Sequence, residues 1–168
     1  MVRKAKEFRG FTLIEAAMTT AIIGIAFVAV MELFAACTKQ NRYANHTTTA
    51  MMLAEHVREM MIGLPFADPN PLSAVFGAET GESLETYDDL DDFNGLSFNP
   101  PVDAQRQAIP ELSQYTQTVS VVAADPNQPS VGGTAGKALR VRVVVTYRPG
   151  SSSPVEQVYS LSWLVMNN

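Results

Sequence analysis

The sequence predicts an α+β fold. A long N-terminal helix spans a membrane with its first half and packs its second half against a C-terminal antiparallel sheet of about three to four strands. Three observations lead there. Residues 11–37 carry only two charges, Glu15 and Glu32; apolar residues then recur every three or four positions up to Leu64 with no proline; and the last third alternates apolar with polar side chains.

The length, 168 residues, is that of one compact domain, and 46% hydrophobic residues with a mean hydropathy of +0.03 is apolar for a soluble one. A net charge of −5 argues against a broadly basic nucleic-acid surface. A single cysteine, Cys37, excludes an intrachain disulfide and a Cys-rich zinc module. The averages conceal five segments: a basic leader at 1–10, an apolar helix at 11–37, its amphipathic continuation at 38–64, an acidic Pro/Gly-rich region at 65–114 and a strand-rich head at 115–168.

In the leader, Arg3, Lys4, Lys6 and Arg9 face a single acid, Glu7. The apolar segment after it, as a helix of roughly 40 Å, is long enough for the ~30 Å hydrocarbon core of a bilayer. Positive charge on the N-terminal side keeps that end in the cytoplasm and sends the remainder outward. An ordinary cleaved secretory signal has a shorter apolar core with its cleavage site on the far side. A lipoprotein box would need a smaller aliphatic residue where Phe34 stands, so Cys37 reads as a small packing residue. Glu15 is the anomaly, since an intramembrane carboxylate costs about 2.5–3.5 kcal/mol unless partnered or held at the headgroup level beside Arg9.

Ala50, Leu53, Ala54, Val57, Met60, Met61 and Leu64 form one stripe, with Glu55, Arg58 and Glu59 opposite. The helix therefore continues for about 52 residues in all and ends at Gly63 and Pro65. His46 and His56 fall on it, as surface residues rather than ligands.

From Asp68 to Asp103 there are nine acids and no base. Such a stretch reads as an excursion anchored by Phe66, Phe76, Tyr87, Leu90, Phe93, Leu96 and Phe98. At its centre Asp88, Asp89, Asp91 and Asp92 precede Asn94 and Gly95. Two readings stay open: a Ca²⁺ site, since the ion takes 6–8 oxygens, and a solvated turn whose carboxylates cap backbone amides. The spacing is not that of an EF-hand. Ca²⁺ is the one cofactor the chain suggests.

Strands are expected at 115–123, at 139–147 with Leu139, Val141, Val143, Val145 and Tyr147 inward, and at 155–166 with Val155, Tyr159, Leu161, Trp163 and Val165 on one face. Residues 123–137 and 148–154, rich in Pro, Gly and Ser, read as loops. No Ser/His/Asp or Cys/His set is placed for catalysis, and Gly132, Gly133 and Gly136 with Lys137 lack P-loop spacing, so an enzyme is not expected.

The string Arg9-Gly10-Phe11-Thr12-Leu13-Ile14-Glu15, between a basic leader and an apolar helix, resembles the type IV prepilin signature of pilins and type II secretion pseudopilins. The resemblance implies a pilin fold. It also implies that a membrane prepilin peptidase cuts between Gly10 and Phe11, that the new Phe11 amine is methylated, and that Glu15 pairs with the amine of a neighbouring subunit during assembly. Further partners implied are other pilin or pseudopilin subunits, an inner-membrane assembly platform and the lipid bilayer. The localisation implied is the bacterial inner membrane, single-pass, with a cytoplasmic N-terminus and a periplasmic head, and then the filament. Ala54-Glu55 with Leu64-Pro65-Phe66 is similar to V- and I-type minor pilins, and Tyr87–Gly95 with Pro100-Pro101 and Leu112–Thr116 is similar to D-type minor pilins of mannose-sensitive haemagglutinin (MSHA) systems. The helix-bending proline of many major pilins is absent, Glu32 standing in its place, although Gly24 matches a family glycine. The rival expectation is a singly anchored envelope protein whose acidic head binds calcium or a partner.

Overall fold

The computed structural model describes residues 10–68, 76–133 and 137–167, and nine of the ten leader residues lie outside that set. The chain divides into two compact units, residues 1–44 and 45–168. Helix α1, Leu13–Met61, begins in the first and ends in the second.

In the first unit every described side chain is exposed, including Phe11, Ile14, Ile22, Ile25, Phe27 and Phe34. A helix apolar on all faces belongs in a protein core or a membrane. Three of the threonines along it are self-contained. The hydroxyls of Thr19, Thr20 and Thr38 donate to the carbonyls of Glu15, Ala16 and Phe34 one turn earlier, at 2.7, 2.8 and 2.9 Å. No hydroxyl of the apolar stretch beyond the first turn therefore needs water, which is what hydrocarbon demands.

In the second unit the stripe reads out as expected. Ala50, Leu53, Ala54, Val57, Met60 and Met61 are buried and Leu64 packs against them. The helix stops where Gly63 adopts φ +88°, a left-handed conformation natural to glycine, and the Ile62 amide makes the last bond, to the Arg58 carbonyl.

Five strands follow: β1 (Ser97–Phe98), β2 (Tyr115–Asp125), β3 (Gln128–Gly132), β4 (Ala138–Tyr147) and β5 (Glu156–Met166). The sheet runs β1-β2-β4-β5, antiparallel throughout, with β3 folded back on the far end of β2. β2 pairs with β4 from Tyr115↔Tyr147 to Ala123↔Leu139, so Val119, Val121, Val141, Val143 and Val145 all face the helix and are buried. That is the α+β fold the sequence predicts.

Three details differ. Residues 123–137, expected as loop, hold β3, because Pro126-Asn127 forms a tight turn in which the Asn127 amide donates to Asp125 Oδ1 at 2.8 Å. Val155 lies outside β5 and is 49% exposed, the β4–β5 register slipping between Val145 and Thr146. Phe76 is 53% exposed and anchors nothing, whereas Leu90 and Phe93 are core residues and Phe66, Tyr87, Leu96 and Phe98 pack on them.

A polar side chain sits between helix and sheet. Gln117 occupies the inward register between Tyr115 and Val119, fully buried. Its Nε2 donates to the carbonyls of Leu53 at 2.8 Å and Val102 at 3.0 Å, and its Oε1 accepts the Val102 amide at 2.8 Å. Helix, strand β2 and the 101–109 turn are thereby joined by one satisfied amide.

Candidate functional site

Two places hold the residues singled out by the sequence. The first is the start of α1. Gly10 precedes the helix and is exposed, as are Phe11 and Glu15. Thr12 occupies the N-cap, its carbonyl accepting the Ala16 amide at 3.1 Å and its Oγ1 accepting the Glu15 amide at 3.3 Å. Glu15 therefore stands at the third helical position, where the helix dipole favours an anion. Thr-x-x-Glu is the order of a capping box, so the string Phe11–Glu15 also carries a purely local instruction to start a helix. Among the described residues α1, near the N-terminus, is long and apolar enough to cross a membrane.

The second place is the acidic turn. Its backbone is docked on β2: the Gly95 amide donates to the Val119 carbonyl, the Val119 amide to the Leu96 carbonyl and the Val121 amide to Asn94 Oδ1, all at 2.9–3.1 Å. Gly95, at φ +80°, makes the bend. Asp91–Phe93 form a single 3-10 turn that drives Phe93 into the core.

The four aspartates then separate by role. Asp88 is exposed. Asp89 is 2% exposed, and its Oδ1 accepts the amides of Asp91 and Asp92 at 2.9 and 3.2 Å. Asp91 Oδ2 accepts the Gly77 amide at 2.7 Å, and Asp92 Oδ2 accepts those of Asp88 and Asp89 at 3.0 and 3.2 Å. Burial first, then a hydrogen bond with the Asp91 carboxyl, pushes the Asp89 acid up to about 7. Three of the four thus cap backbone amides, as one of the two readings expected, but the turn is not the solvated one that reading described, since Asp89, Asp91 and Asp92 are all buried.

No local pattern brings Glu79 and Glu82 to this turn. Each offers a carboxylate oxygen within 4.8 Å of the other and of one from Asp92. Arg106 comes to the same turn from outside it. Its guanidinium donates from Nη1 to the Leu84 carbonyl at 2.6 Å and from Nη2 to the Tyr87 carbonyl at 3.1 Å, and lies 5.7 Å from the Phe93 ring centre. It does so from a backbone φ of +65°, uncommon for a non-glycine residue. A charge that closes a loop from outside it leaves no local sequence signal.

His46, expected on the helix surface, is half-buried. Its Nδ1 lies 2.6 Å from the Tyr115 hydroxyl and its ring centre 4.2 Å from that of Tyr147. This aromatic contact joins the first helical turn of the second unit to paired residues of β2 and β4.

Comparison with family models, curated proteins and solved structures returns no match to this chain.

Proposed function

We propose that this chain is a minor pilin or pseudopilin. In this reading it is a structural subunit cut by a prepilin peptidase between Gly10 and Phe11, methylated at the Phe11 amine, and assembled through its apolar helix into an MSHA-like type IV pilus or a type II secretion pseudopilus. One observation carries the reading: the string Gly10-Phe11-Thr12-Leu13-Ile14-Glu15 stands at the mouth of a helix whose apolar first stretch, up to residue 37, is exposed and has no cover among the described residues. Before processing, lipid of the inner membrane supplies that cover; afterwards neighbouring subunits do. The architecture of one long helix against an antiparallel sheet is compatible with the pilin fold.

Cleavage also changes the electrostatics. Residues 1–10 hold four bases and one acid, so their loss takes the net charge from −5 to −8 and leaves a new amine next to the helix start. That amine is the natural partner for a Glu15 carboxylate on a neighbouring subunit. A desolvated ion pair of this kind fixes register, and deleting one member costs about 3–5 kcal/mol.

Mass spectrometry of the mature N-terminus tests the reading. The expected species begins with methylated Phe11, and an intact Met1 or a lipidated Cys37 overturns it. Glu15→Val should leave cleavage intact and lower recovery in sheared fibres by at least tenfold; normal incorporation would sink the role given to Glu15.

A further inference from the structure

We propose that Glu79, Glu82 and Asp92 form a Ca²⁺ site that fastens the 77–82 turn to the 3-10 turn at Asp91–Phe93. This goes beyond the filament reading and is independent of N-terminal processing.

A cluster of acids alone would be a solvated surface. Asp92 is different. Its side chain is 1% exposed, Oδ2 is taken by the amides of Asp88 and Asp89, and Oδ1 is buried with no hydrogen-bond partner. A buried carboxylate oxygen left unsatisfied is costly, and a cation is the ligand that meets both its charge and its lone pairs. The geometry suits one. Ligand oxygens sit about 2.3–2.6 Å from Ca²⁺, so two of them on one ion are separated by no more than about 5 Å. The three carboxylates offer oxygens within 4.8 Å of one another.

Residues 68–103 contain no base, Glu82 and Asp92 take no ion pair from Lys or Arg among the described residues, and the Arg106 guanidinium is committed to the carbonyls of Leu84 and Tyr87. The Glu82 acid records the crowding. The Glu79 amide, donating to Oε2 at 3.1 Å, lowers it, but desolvation, the Glu79 carboxyl and the Asp92 charge together hold it above the ordinary carboxylate range. Three carboxylates with remaining positions open to water suit Ca²⁺ better than Mg²⁺, which demands near-octahedral geometry and gives up its waters reluctantly.

The test uses the full chain in detergent micelles, stripped with a chelator and titrated with CaCl₂ by calorimetry. A parallel titration with Tb³⁺ is excited through tyrosine, because Tyr87 feels the charges of Asp92 and Glu82. One site with a dissociation constant on the order of 10⁻⁴ M is expected, together with a rise in melting temperature and Tyr-sensitised emission that Tyr87→Phe removes without weakening binding. Glu82→Gln keeps an acceptor for the Glu79 amide and should weaken binding at least tenfold. Asp88→Asn, an exposed change outside the trio, should stay within twofold. No heat and no melting shift at about 5 mM Ca²⁺, above the weak end of known protein sites, would overturn the site. So would a folded Glu79→Gln/Glu82→Gln chain that binds as the parent does.

Discussion

Residues 13–37 and 45–61 belong to one helix, yet they live under opposite rules. The first stretch is apolar around most of its circumference and exposed, with no cover among the described residues; the second buries one stripe and leaves the rest to water. Helix propensity does not distinguish them. What does is the arrangement of the apolar residues around the axis, which determines whether the cover comes from the same molecule or from outside it. Backbone conformation was therefore readable along the whole helix, while the cover of the first stretch is a question of function.

The sharpest way to break this comparison is to cut the same number of methyl groups from each stretch. Leu53→Ala opens a cavity under a fully buried side chain and should cost about 2–5 kcal/mol of head stability, measured by urea denaturation in micelles. Ile25→Ala removes an exposed side chain and should change that transition by less than about 0.5 kcal/mol. Equal losses would mean that the two stretches are not energetically distinct.

The head also carries a pH dependence of its own. The Asp89 acid is raised in the folded state, to about 7 from 3.8, so the native head binds a proton that the unfolded chain has released over that interval. Stability is therefore greatest below about pH 4 as far as this group is concerned, and falls as pH rises towards about 7. The whole span is roughly 2–4 kcal/mol. Asp89→Asn should flatten the profile above pH 5 while keeping an oxygen for the amides of Asp91 and Asp92. An unchanged slope in melting temperature between pH 5 and pH 8 would remove Asp89 as its source.

Gln117 tests the packing from the polar side. Gln117→Leu is close in volume but leaves the Val102 amide without its partner in a buried place, at a cost of about 1–3 kcal/mol. Hydrogen exchange at Val102 should accelerate more than at Val121, whose amide bonds to Asn94 instead.

How far the sequence reached can be judged from these same residues. Periodicity placed Leu53 and Val57 on the buried stripe and Leu139, Val141, Val143 and Val145 inward on their strand, because both signals are local and repeat, whereas it gave no sign of a buried Gln117. The partner of Gln117 lies 64 positions earlier, in the Leu53 carbonyl, and no local pattern encodes such a distance. The acidic turn shows the same limit. Four aspartates in five residues announced an unusual site, but the capping of amides by Asp89 and Asp92 and the arrival of Glu79 and Glu82 depend on how the loop closes. Residues 128–132 were missed for a different reason. Their Pro, Gly and Ser content reads as loop, and only pairing with the end of β2 makes them a strand.

The smallest expected effect separates two roles for Glu15 that the helix start offers together. At the third helical position, closing a capping box, it would help begin the helix, whereas as the partner of a neighbouring amine it would act only on assembly. Thr12→Val distinguishes them, being nearly isosteric and deleting the oxygen that accepts the Glu15 amide. That bond is long, at 3.3 Å, so its loss should cost about 0.5 kcal/mol, near the bottom of the N-cap range. Circular dichroism in micelles should show at most slight fraying, and fibre incorporation should stay within twofold of the parent while Glu15→Val falls at least tenfold. If the two variants fail equally in the fibre assay, the carboxylate acts through its own helix. The ion pair between subunits would then lose its support, even with methylated Phe11 in hand.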